Sequence, residues 1–510
     1  MDWIYTLFVC CVALLAPAAL LFRLRPRPGS GASRLPPGPR GWPVFGNMFD
    51  LGPMPHKTIA GLRTAYGPVV WLRIGSINTM VVQTAEAASA LFKGHDASFA
   101  ERTIIEVMRA HAFDRAALSL APYGPYWRAM KRMMTAEMLG QRRIGETEAV
   151  RRRCVADMVE WIGNAAEKTG QSQTRRAVHV ARFVFLASFN MLANLMLSRD
   201  LVSPEAAEGS EFHAAMLELM NCSGTPNIVD LFPFLRRIDP QGLRRKIDRG
   251  MEKTLKIVAG FVEKRRKEMK SNPSARKDFL EVLLEYRGNS DDECDQISDH
   301  QLHIIIMEVF LAGSETTSST IEWAMVELLR HPAAMAAAKE ELRRVVGEGN
   351  RFEEAQIEDL PYLQAVVKET LRLHPPVPFL VPRRAIREVE FMSYRIPENT
   401  QVFVNAWAIG RDPRCWEEAE EFRPERFLEA RTDYRGHNFE LIPFGAGRRI
   451  CAGIPLAHRM LNLVLGSLLH EFEWGVDEVG EKEMADERER MGVTVRKLVP
   501  LMAIARRCST

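Results

Sequence analysis

The chain has 510 residues, 46% hydrophobic and 26% charged, enough apolar material for a large buried core. A formal net charge of +3, with no acidic or basic tail, gives no general electrostatic case for a nucleic-acid partner. The eight cysteines (Cys10, Cys11, Cys154, Cys222, Cys294, Cys415, Cys451 and Cys508) form no C-x-x-C pair and no regular spacing, so they indicate neither a zinc site nor a disulfide framework.

Residues 3–22, WIYTLFVCCVALLAPAALLF, carry no charge. As a helix they would extend roughly 30 Å, the hydrocarbon thickness of a bilayer. Arg23, Arg25 and Arg27 follow at once, and the positive-inside tendency leaves the bulk of the chain in the cytosol. Ala16-Pro17-Ala18 mimics the cleavage site of a signal peptide. The missing basic leading end, and an apolar run that continues past that site, favour a transmembrane anchor over 1–22. Residues 23–47 are basic and then dense in proline and glycine (RLPPGPRGWPVFGN, 34–47), which reads as a stiff hinge.

From residue 48 to 510 the pattern is that of one domain, mainly α with small β-sheets (α+β). β-branched runs at 69–74, 79–83 and 402–404 predict strands, with sheets near the start and near 380–405. Apolar residues three and four apart predict helices over 85–95, 124–138, 145–168, 177–198, 241–269, 299–330, 332–347 and 361–373. The acidic stretch GNSDDECDQISDH (288–300) reads as a surface loop.

Four stretches carry chemistry. In YGPYWRAMKRMM (123–134), Arg128, Lys131 and Arg132 surround Trp127; the pattern fits a helix with a solvated basic face. FLAGSETTSST (310–320) puts Glu315, Thr316 and Thr317 inside an apolar helix, which is costly unless each is satisfied. Hydroxyls can bond their own backbone there, so a helix-bending Ser/Thr cluster is the plain alternative to a functional one. In KETLRLHPP (368–376), Glu369 and Arg372 lie three apart on one helical face, as an ordinary surface pair also would. FGAGRRICAG (444–453) places one thiol, Cys451, among Gly445, Gly447 and Gly453 and beside Arg448 and Arg449, just before the helical pattern of 453–474. A thiol at a helix entrance meets free N–H groups and the positive end of the dipole, and both favour thiolate. The arginines suit carboxylate groups.

At these residues the chain resembles cytochrome P450, the haem-thiolate monooxygenase family. Phe444, Gly447, Arg449, Cys451 and Gly453 meet its F-x-x-G-x-R-x-C-x-G signature, and 312–317 meets [AG]-G-x-[DE]-T-T. The resemblance implies the P450 fold with an N-terminal anchor and haem b as cofactor. It implies Cys451 as the axial iron ligand, Phe444 packed near the sulfur, and arginines at the propionates. By the same resemblance, Ala312 and Gly313 leave room for oxygen, while Thr316 and Glu315 deliver protons. Glu369 and Arg372 are placed inside, with Arg426 of EEFRPERF as third member. Trp127 and the residue four later match W-x-x-x-R, a propionate contact; here that residue is Lys131, which keeps the charge and loses the bidentate fork, with Arg128 and Arg132 flanking it. Ala452 stands where plant members often have proline.

The implied reaction inserts one oxygen atom of O2 into a C–H bond. Nothing in the chain resembles a nicotinamide or flavin site; GAGRRI (445–450) lacks the last glycine of G-x-G-x-x-G. Electrons from NADPH then require a separate NADPH–cytochrome P450 reductase, docking near Arg128, Lys131, Arg132 and Arg448. The chain is most similar to plant endoplasmic-reticulum members, in the subfamily of geraniol hydroxylases and iridoid oxidases. That implies a cytosolic catalytic domain on a single-pass anchor and a lipophilic substrate, a terpenoid or related secondary metabolite. Family alignment puts Phe113, Phe310, Val377, Phe379 and Val493 among the substrate contacts. Two other functions compete: a haem-thiolate isomerase or dehydratase that needs no NADPH, and a membrane-tethered haem protein without turnover.

Overall fold

The structure, a computed structural model, describes residues 35–170, 177–205, 211–271, 278–288 and 296–508. The expected anchor (1–22), the start of the hinge and most of the acidic loop after 288 lie outside the described residues. Six helices position the site: α1 (Pro125–Met133), α2 (Val180–Leu197), α3 (Glu211–Ser223), α4 (Asp299–Arg330), α5 (Pro361–Leu373) and α6 (Ile454–Glu471).

Helix α2, VARFVFLASFNMLANLML, is apolar all round and therefore belongs inside. By length and composition it could cross a membrane, yet 78% of it is buried within the body. Of its polar side chains (Arg182, Ser188, Asn190 and Asn194), the buried amide Asn190 is fully engaged. Nδ2 donates to Val202 O at 2.7 Å, and Oδ1 accepts from the Leu201 and Val202 amides at 2.9 and 3.0 Å. Helix α4 packs against α2, α5 and α6. It starts on a capping box, with Ser298 and Gln301 answering each other's orphan N–H groups.

A five-stranded sheet runs β1 (Val69–Ile74), β2 (Ile77–Val82), β5 (Gln401–Val404), β4 (Arg383–Arg384), β3 (Glu101–Arg102). β1 and β2 form an antiparallel hairpin; β2 and β5 are parallel, with Thr79 opposite Gln401. The described part of the hinge does more than space the domain. Trp71 N–H donates to Pro37 O at 2.8 Å and Asn47 N–H to Arg73 O at 2.5 Å, which fastens 35–47 onto β1. Gly46, at φ +62°, lies so close that a Cβ would fall 1.9 Å from Arg73 O.

The eight helices expected from periodicity are all present, with ends shifted by a few residues. The pattern over 453–474 runs too long. Helix α6 stops at Glu471, and β6 (Phe472–Gly475) pairs antiparallel with β9 (Met502–Arg507), which also takes Val178–His179. A hairpin of β7 (Glu489–Arg490) and β8 (Arg496–Lys497) lies between them in sequence. Alternation in strands this short is too brief to separate from helical spacing.

Candidate active site

The 444–453 turn is built around glycines and one carboxylate. Gly447 sits at φ +71°, and a Cβ there would fall 2.6 Å from Asp96 Oδ1. Asp96 accepts from Arg448 N–H at 2.8 Å and from Arg383 Nη1 at 2.7 Å. Cys451 N–H donates to Phe444 O at 3.1 Å. Its sulfur accepts from the Gly453 N–H at 3.3 Å, and the Ile454 N–H at the entrance of α6 also bonds it. The Phe444 ring lies against Tyr434, centroids 5.2 Å apart.

Cys451 is exposed by area, yet loss of bulk water pushes its thiol up, and this outweighs the Gly453 amide and Lys131. Both hold if the sulfur faces an internal hollow. The helix entrance and Lys131 thus favour the thiolate, but by less than burial disfavours it.

Helix α4 is tied to this turn through residues 118–119, whose amides bond Glu308 of α4 and whose Leu118 carbonyl takes Arg449. Ala312 is exposed and Thr316 half-buried, in a helix that is otherwise nearly all buried. Four apart, they share one face. The Thr316 hydroxyl donates to Ala312 O at 2.7 Å, and Ser314, Thr317 and Thr320 bond back to their own i−4 carbonyls in the same way. Thr316 Oγ1 keeps its lone pairs for a donor from the hollow. Gly313 serves α2 rather than the hollow, because a Cβ on it would meet Leu192 Cδ1 at 2.9 Å. Glu308, two turns before Thr316, accepts from the Leu118 and Ser119 amides at 2.5 and 2.6 Å.

Beside the hollow lies a surplus of buried positive charge. Arg102 and Arg383 face each other across β3 and β4, an arrangement that like charges make unfavourable. Arg449 donates to the Ala100, Leu118 and Ala121 carbonyls at 2.9, 3.3 and 2.6 Å, and its guanidinium stacks over Trp127 at 4.5 Å. Burial pushes Arg102 well down and Arg449 down to about 10, and these neighbouring arginines add to both shifts. Lys131 donates to Ile450 O at 2.6 Å and is lowered by burial, with Arg449 and Arg102 reinforcing it. Among the described residues Asp96, Glu101 and Glu308 are carboxylates that oppose this cluster of four cations. The cluster is built for a further anionic group.

Trp127 gives its indole N–H to Leu118 O at 2.9 Å. Arg128, on the same helix, is exposed. Sequence reading missed Arg102 and Arg383; only the strand register brings them together, and no local motif marks them. Phe310 is fully buried against Phe189 and Phe212, centroids 4.6 and 5.2 Å away. Two residues from Ala312, it points to the far side of α4, into the core rather than the hollow. Phe113 is buried in the same core, and Phe379 stacks on Phe403 beside β1 and β2. Val377 is half-buried and Val493 is 42% exposed.

Glu369 and Arg372 are fully buried and joined by two bonds of 2.7 Å. Arg426 Nε and the Arg423 amide also donate to Glu369, at 3.0 and 2.8 Å.

Residues 36–501 match the family model for cytochrome P450. The chain is 49% identical to cytochrome P450 76A2 of Solanum melongena, over 99% of each chain. It is 47% identical to iridoid oxidase of Catharanthus roseus, over 96% of this chain and 95% of that one. It is 39% identical to geraniol 8-hydroxylase of Swertia mussotii, over 93% and 94%. A solved zebra fish cytochrome P450 shares the fold, with TM-score 0.73 at 22% identity, over 89% of this chain and 100% of that one. With a family model spanning the sulfur turn, the α4 groove and the buried pair alike, the chain belongs to the cytochrome P450 family, haem-b monooxygenases.

Proposed function

We propose that the protein hydroxylates a lipophilic small molecule, a terpenoid or related plant secondary metabolite. The observation that carries this reading is the near full-length similarity to iridoid oxidase, with geraniol 8-hydroxylase next to it. The reaction converts RH and O2, with two electrons and two protons, into ROH and water. Haem, when bound, supplies the oxygen-activating chemistry. Cys451 is the residue to hold its iron, and the Gly453 and Ile454 amides orient the sulfur. Arg102, Arg383, Arg449 and Lys131 are the groups whose surplus charge its two propionates would answer. Thr316 accepts a hydrogen bond from a water in the groove, and Glu315 exchanges the proton that water delivers.

The electrons come from NADPH through a separate reductase, because no described segment offers a nucleotide site. With reductase, NADPH and a terpenoid panel, product formation should require NADPH. Product without NADPH or reductase would instead favour an isomerase or dehydratase. Thr316→Ala should lower product per NADPH about tenfold, with peroxide released instead, at an unchanged carbon monoxide spectrum.

Placement at the endoplasmic-reticulum membrane is supported by one exposed apolar patch made from two segments. Phe45 and Phe49 are 40% and 63% exposed; Phe234 and Ile238 are 76% and 67% exposed. Phe45 joins the two halves through Phe232, centroids 5.8 Å apart. The uncharged run at 3–22 lies a short stretch of chain before this patch. In nanodiscs, hydrogen exchange over 44–49 and 228–238 should slow at least about tenfold relative to detergent, and the double change Phe234→Asp, Ile238→Asp should remove the slowing.

A further inference from the structure

The hairpin of β7 and β8 touches four parts of the molecule at once, one of them through Glu489, which pairs with His56 at 2.9 Å and Lys57 at 3.4 Å. Arg496 Nη1 meets Glu315 Oε1 at 2.9 Å, and Thr494, 2% exposed, hydrogen-bonds the same carboxylate through its side chain. One turn along α4, the Ser319 hydroxyl donates to Val495 O at 2.8 Å, and the Val495 N–H donates to Pro376 O at 2.8 Å. On its other side the hairpin abuts the end of α3. A Cβ on Gly224 would fall 2.5 Å from Gly492 Cα, and Arg490 Nη2 donates to Asn221 Oδ1 at 3.3 Å. Val493 lies between these contacts.

Glu315 and Thr316 are neighbours in sequence and so about 100° apart around the helix. Thr316 shares the hollow with Ala312, while Glu315 is turned to the hairpin. Burial pushes the Glu315 carboxyl up; Arg496, Thr494 and Arg490 pull it back. The group that must pass protons toward Thr316 is therefore held by residues outside its own helix.

We propose that Arg496 is a positioning residue for proton delivery: with Thr494 it sets where the Glu315 carboxylate points, and it ties that direction to the hairpin bearing Val493 and to the end of α3. The proposal rests on the role given to Glu315 above. A substrate that displaces Val493 moves the carboxylate with it.

The test uses the full chain with reductase. Arg496→Leu should lower product per NADPH about five- to tenfold, with peroxide making up the difference and KM changed less than about twofold. The solvent isotope effect on kcat should rise. Arg496→Lys, which keeps a cation beside Glu315, should recover most of the coupling. Apart from turnover, hydrogen exchange over 489–497 should quicken in Arg496→Leu and not in Arg496→Lys, at an unchanged carbon monoxide spectrum. Wild-type coupling in Arg496→Leu overturns the proposal, as does an Arg496→Lys that restores hairpin protection without coupling. Glu315→Gln separates the two layers. If it keeps wild-type coupling, the role of Glu315 fails and the proposal falls with it; if it uncouples while Arg496→Leu does not, only the proposal fails.

Discussion

Cys451→Ser is expected to abolish product formation and to remove the thiolate-shifted Soret band of the reduced carbon monoxide complex, while the polypeptide stays folded. Serine keeps the size, the backbone and an acceptor for the Gly453 and Ile454 amides. The Cys451 N–H bond to Phe444 O does not involve the side chain at all. What is lost is the sulfur, and with it the electron density that a thiolate gives to iron. The surroundings exact no packing change, so the melting midpoint of the haem-free variant should match that of the haem-free wild type, as surface-like substitutions within about 0.5 kcal/mol do. The arginine cluster is untouched, so a porphyrin can still enter, and the spectrum then reports its altered axial ligand. A variant that kept both haem and turnover unchanged would refute Cys451 as the iron ligand.

Much of this architecture is legible in the chain because its helices are long. The 32-residue α4 repeats its apolar spacing often enough to be unmistakable, and α5 and α6 do the same. What stays hidden depends on residues far apart in sequence. Arg102 becomes part of the site only because β3 pairs with β4, and Glu315 meets Arg496 across 180 intervening residues. Spacing placed Glu369 and Arg372 on one face but could not say whether that face met water. A glycine in a helix reads as space for a ligand; at Gly313 the space is filled by Leu192. Phe310 shows the converse, because an apolar residue near the reactive helix turn can as easily face the core.

Glu369→Ala is expected to lower the melting midpoint by about 3–5 °C or to prevent recovery of folded haem protein, on a cost of about 3–5 kcal/mol for stranding a buried charge. Arg372 is committed in every direction. Beyond Glu369 it donates to Gly410 O at 2.7 Å, Ala419 O at 2.6 Å and Glu421 O at 2.9 Å, and its guanidinium lies 5.3 Å from the Trp416 ring centroid. Without the carboxylate, this cation has no counter-charge in place and no water to turn to. Arg426 Nε and the Arg423 amide lose their acceptor in the same step. The segment released, 410–426, leads toward the sulfur turn, so haem retention should fall along with stability. Arg343 and Glu340 provide the control, since they have the same three-residue spacing and a bond of 2.8 Å, but sit 60% and 63% exposed. Glu340→Ala should leave the midpoint unmoved, because water replaces what the pair gives. Equal shifts in the two variants would mean that burial does not decide what an E-x-x-R pair is worth here, and the anchoring role of Glu369 would have to be abandoned.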